Sequence, residues 1–155
     1  MRIGAALREL HRSESALATE LPRVAERHPK EQEIRHVTGD LAEWSWEHVR
    51  EIVAVSPRYG VDPADLENPE SSEERRFELP GEDSDPDLSL LADLRRLYRM
   101  SGGVALDWDL LGQGAQVIAD AELLALTKRC RPRSARQMRW ARGMLKTLSP
   151  QILAS

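Results

Sequence analysis

The chain has almost no cysteine. Cys130 is the only one in 155 residues, which excludes an intramolecular disulfide and any cysteine-rich zinc site. A lone thiol fits a reducing compartment. Long apolar runs are missing too. No window holds 18 consecutive apolar residues, so no transmembrane span and no membrane partner are expected. The opening residues MRIGAALREL pass straight into a charged helical pattern, so no signal peptide is expected and the cytoplasm is the default location. Lysine is scarce: Lys30, Lys128 and Lys146 are three of 22 basic residues, and the other 19 are arginine. That bias often follows GC-rich coding rather than function. Acids are wholly absent from Leu123 to Ser155, where eight residues are basic. Between Ser56 and Pro86 the balance reverses, with ten acids against Arg58, Arg75 and Arg76. The net charge of −4 therefore hides two segments of opposite sign.

What is present is helical periodicity. Ile3, Leu7, Leu10, Leu17, Leu21 and Val24 recur at alternating four- and three-residue steps, which draws one apolar stripe down a helix. One position of that stripe is Glu14. After His28-Pro29, the residues Ile34, Val37, Leu41, Trp44, Ile52 and Val55 repeat the pattern, with His48 at an interior position. Residues about 2–27 and 30–55 are thus expected as two antiparallel helices joined by a short hinge. Pro22 should kink the first, and Pro29 suits the first turn of the second.

Five prolines and many acids argue against regular structure throughout 57–86. A third helix is expected at about 87–118, striped by Leu90, Leu94, Leu97, Ser101, Val104, Trp108, Leu111, Ala115 and Ile118 and weakened at Gly102-Gly103. Asp120 reads as the N-cap of a fourth, at about 121–148. Pro132 should kink it, Ser134, Met138, Ala141, Leu145 and Leu148 should face inward, and Ser149-Pro150 should end it. The expected fold is an all-α four-helix bundle over 1–155 as one domain, with a long crossover between its second and third helices.

In that connectivity the chain resembles the ferritin-like superfamily. ELHRSESALATELPRVAE followed by WSWEHVREI is similar to small bacterial ferritin-like proteins of uncharacterised function. Active members carry a Glu on each of two helices and E-x-x-H on the other two, and these hold two irons or manganeses. The resemblance places Glu14 at the first-helix Glu. Ser45-x-x-His48 keeps the histidine of the second helix without its glutamate. Gly103 and Asp107 fall at this depth on the third helix, and Ser134 and Gln137 on the fourth, where Glu and His belong. A di-metal site needs roughly four carboxylates and two histidines. Only Glu14, His48 and Asp107 are available, so no cofactor is expected, with iron or manganese on those three as the alternative. The one E-x-x-H, Glu33 to His36, flanks the apolar stripe and reads as surface.

Glu14 and His48 read first as a buried pair that satisfy each other. Trp44, Trp108 and Trp140 read as core, with Trp46 on a flank. The basic fourth helix, with Arg129, Arg133, Arg136 and Arg139, reads as a solvated face complementing the acidic connection. Its alternative is an anionic partner, or nucleic acid. The acidic total and the lack of a recognised motif argue against nucleic acid. No Ser-His-Asp set can be assigned, and no histidine lies close in sequence to Cys130. His11 and His28 cannot be placed by spacing. The expectation is a non-catalytic structural or protein-interaction module with a protein partner or a second copy of itself. Metal binding or redox chemistry is the runner-up.

Overall fold

The computed structural model describes residues 2–66, 81 and 83–155. Four long helices carry the chain: α1 Ile3–Arg27, α2 Gln32–Val55, α3 Pro86–Val117 and α4 Ala121–Ala154. Two short 3-10 turns, Ser56–Tyr59 and Pro63–Asp65, follow α2. No strand occurs among the described residues, and the fold is all-α.

The stripes explain the helices. On α1 every apolar stripe residue is buried, and so is Glu14. Pro22 lies inside α1 on its exposed face and does not end it. α2 begins two residues later than the stripe suggests. Pro29 and Lys30 form a turn closed by the Glu31 N–H donating to the His28 carbonyl at 3.1 Å. α3 runs unbroken through Gly102-Gly103. Its N-cap Asp85 accepts from the backbone N–H groups of Asp87 and Leu88. Asp120 caps α4 by accepting from Leu123 N–H at 3.0 Å.

Two expectations about α4 need correction. The helix does not end at Ser149-Pro150 but continues to Ala154. Pro150 and Lys146, whose carbonyl loses its donor, are both exposed, so the missing hydrogen bond falls on the solvent side of the helix. The inward face is also turned by about one position. Gln137 and Met144 are buried with Ser134 and Ala141, while Met138, Leu145 and Leu148 are half-buried.

Side-chain pairs set the helix directions. Arg27, at the end of α1, meets Asp93 near the start of α3, and Ile3 at the other end lies beside Gly114. α1 and α3 are therefore antiparallel. Glu51 meets Arg129, Glu47 meets Arg133, and Leu41 meets Gln137, so α2 and α4 also run antiparallel. α1 packs on α2 and α3, α3 packs on α4, and α2 touches α4 at few points. One apolar cluster with members from all four helices fills the centre. The acids between residues 67 and 80, expected to lie over the α4 arginines, fall outside the described residues. On α3 the large side chains Leu106, Leu110 and Val117 are exposed.

Gly4 and Gly114 make a matched test of packing at one end. A Cβ on Gly4 would sit 3.0 Å from the backbone carbonyl of Tyr59 and 2.9 Å from Val61. A Cβ on Gly114 would meet only the flexible tip of Ile3, at 2.7 Å. Alanine gains about 1 kcal/mol of helix propensity at either site. Thermal melts should therefore show Gly4→Ala less stable than the parent and Gly114→Ala close to it. Equal effects would mean that the chain after α2 does not hold Gly4 at close quarters.

Candidate functional site

The interior is not wholly apolar at mid-length. Glu14 of α1 is 0% exposed and His48 of α2 is 1% exposed. Their side chains hydrogen-bond, with Nδ1 of His48 2.5 Å from Oε2 of Glu14. Trp108 of α3, fully buried, stands edge-on to the imidazole with ring centroids 5.7 Å apart. Burial raises the Glu14 carboxyl above its ordinary range; His48 and the Trp108 indole oppose that rise, and the charge of Asp107 adds to it. One turn away, the Gln137 amide of α4 donates to Ser45 Oγ at 2.8 Å and to the Leu41 carbonyl at 2.9 Å, both on α2. The layer so formed draws on all four helices. Glu14 Oε1, His48 Nε2, Ser134 Oγ and Gln137 Oε1 are buried without a protein partner among the described residues.

The structure thus brings Glu14 and His48 together. Asp107 is half-buried and acts on Glu14 through its charge. No three of His, Cys, Asp and Glu group closely enough to hold a metal ion among the described residues. Glu33 and His36 are exposed. Trp44 and Trp140 pack half-buried on the core.

Outside this layer, between α2 and α4, lies a cleft of about 670 Å³. His48 and Cys130 line its depth, and Arg50, Arg129 and Arg133 line it with Glu47 and Glu51. Arg129 pairs with Glu51 at 3.0 Å and Arg133 with Glu47 at 2.5 Å. Arg133 also lies over the Trp44 ring, 5.4 Å from its centroid. Arg133 holds the Glu47 carboxyl below its usual range. Burial and the neighbouring Glu51 push the Cys130 thiol strongly upward, which makes it a poor nucleophile. Arg136 and Arg139 are exposed and do not line the cleft. The four arginines singled out in the sequence therefore divide, two in the cleft and two outside it.

A second polar cluster was not found by spacing. At the far end of α1, Asp93 of α3 is 2% exposed. It accepts from His28 at 2.7 Å and from Arg27 and Arg96 at 3.0 Å. Glu20 bridges the two guanidiniums. Burial alone would raise the Asp93 carboxyl; the bonds from His28 and Arg27 overcome it and hold it below its usual range. The one hint in sequence was a histidine at a helix end followed by proline, which carries no information about a partner 65 residues away.

Compared with protein-family models, with curated proteins and with solved structures, the chain matches none of them.

Proposed function

We propose that this chain is a non-catalytic, ferritin-like bundle, a structural or protein-interaction module whose metal site has closed on itself. The topology is supported by the helix directions. α1 and α3 are antiparallel, and so are α2 and α4, and with α1 antiparallel to α2 this leaves the end of α2 and the start of α3 at opposite ends of the bundle, as that topology requires. The observation that carries the function is the pairing of the residues at the superfamily's ligand positions. Glu14 bonds His48, and Ser45 bonds Gln137, so each of these side chains commits one polar atom to another of the four. The ring of Trp108 fills the space beside His48. The nearby Cys130 thiol, pushed upward by burial and Glu51, is a poor nucleophile. The module would then act through contact with other protein chains, a second copy of itself included.

One observation favours a second reading, a redox or metal-binding protein using Glu14, His48 and Asp107. Glu14 Oε1 and His48 Nε2 are buried with no protein partner among the described residues, and a histidine whose other nitrogen is held by a carboxylate is a common metal ligand. Metal analysis by mass spectrometry separates the two. The protein is expressed with iron and manganese present and purified without chelator or His-tag. We expect well under one metal per chain in a fully helical protein. A stoichiometric metal that is lost in Glu14→Ala would replace the first reading with the second.

A further inference from the structure

The cleft between α2 and α4 has a feature that the closed layer does not explain. His48 lines it and is 1% exposed, yet its Nε2 has no partner among the described residues. The other ring nitrogen is committed to Glu14. A buried imidazole nitrogen without a hydrogen bond carries a desolvation cost unless something reaches it. A ligand that accepts a hydrogen bond there would select the tautomer with its proton on Nε2.

The rest of the lining sets the sign of what enters. Among the described residues that line the cleft, Arg50, Arg129 and Arg133 outnumber the acids Glu47 and Glu51. The two ion pairs there are substantially exposed, with Arg129 60% and Glu51 42% accessible, and Arg133 37% and Glu47 40%. Exposed pairs contribute little to stability, so a guanidinium can exchange its carboxylate for a ligand at small cost. The volume of about 670 Å³ lies within the range of small-molecule sites.

The geometry points to this cleft as a binding site for a small oxyanion, a carboxylate or phosphate group, that accepts from His48 Nε2 and is neutralised by Arg129 and Arg133. The inference does not depend on the ferritin-like topology. It uses the α2–α4 seam alone.

The test follows the ring nitrogens of the full chain, labelled with ¹⁵N-histidine, while inorganic phosphate and then acetate are added at fixed pH. Chloride holds the ionic strength constant. A saturable shift of the His48 Nε2 signal with at least one of the two anions is expected, with exposed His36 unmoved. Arg133→Gln and Arg129→Gln should each weaken binding by about tenfold, the worth of one charge-assisted hydrogen bond. Arg139→Gln should not change it. All three sites are at the surface, and their melts check that the fold persists. A His48 signal that ignores both anions overturns the proposal. So does a response that Arg139→Gln weakens as much as Arg133→Gln, which would be general screening. A shift produced by zinc chloride and by neither anion overturns it in favour of a metal ligand.

Discussion

His48→Ala melts roughly 6 to 20 °C below the parent. The estimate has two steps. Removing one member of a buried hydrogen-bonded pair leaves the other without its partner and costs about 3 to 5 kcal/mol. In a chain of this size each kcal/mol moves the melting point by about 2 to 4 °C. Glu14 is fully buried, and its hydrogen bond to His48 is lost when the imidazole goes. The truncation also opens space beside Trp108. Glu14→Gln keeps the volume and one hydrogen bond, and its effect should be much smaller. It should also depend on pH in a definite direction. The folded Glu14 pKa lies above its ordinary value of 4.5. Its contribution to stability is therefore fully present below that value and is lost as pH rises through the folded pKa. Denaturant titrations should show the parent falling relative to Glu14→Gln as pH rises from about 4 towards neutrality. A His48→Ala protein with an unchanged melting point would sink the buried-pair account altogether.

Asp93→Ala should be as damaging, at about 3 to 5 kcal/mol near neutral pH. The change leaves Arg27, His28 and Arg96 facing one another without the carboxylate that all three share. Glu20 still pairs with both arginines, but His28 loses its only hydrogen bond from Nε2 among the described residues. Asp93→Asn retains the shape and loses the charge, and should fall between. Here the sign with pH is opposite to that of Glu14. The folded Asp93 pKa lies below its ordinary value of 3.8. Its stabilisation is present above that value and disappears as pH falls through the folded pKa. The gap between parent and Asp93→Asn should be wide at about pH 7 and narrower at about pH 3. A gap that is constant across that range would show that the charge of Asp93 does not matter.

The two carboxylates also show what sequence alone reveals. Glu14 was legible because it interrupts a stripe whose other members are all apolar, and His48 interrupts the facing stripe within one turn of the same depth from the hinge. Periodicity gives a residue's face and approximate depth, and two long polar side chains on facing stripes within a turn of each other are in reach. Ser45 and Gln137 followed from the same count, and their hydrogen bond fits it. Asp93 escaped because it sits beside the stripe of α3 rather than on it, in a charged run, Asp93 to Arg96, that looks like any solvated helix surface. Its burial arises from α1 packing across it, which is tertiary information. Proline misled at two points. Pro29 was compatible with a first helical turn, yet the chain turned before starting α2. Pro150 looked like a stop, yet an exposed helix face tolerates one missing donor. Turn conformation and local solvent access decide such cases, and neither is encoded in spacing. The cleft was invisible for a related reason. Two of its arginines belonged to a row of similar ones on α4, and only the approach of α2 distinguishes them.

The sparse and polar contact between α2 and α4 has a kinetic consequence. Much of what joins them is hydrogen bonds and ion pairs: Gln137 to Ser45, Cys130 to Glu51, Arg133 to Glu47. Parting them exposes little apolar surface, whereas parting α1 from α3 breaks open the leucine core. The bundle therefore does not breathe evenly. Amide protons facing that seam should exchange through small openings with weak denaturant dependence, while those between α1 and α3 wait for global unfolding. Solvent would thus visit His48 many times for each time the whole chain unfolds.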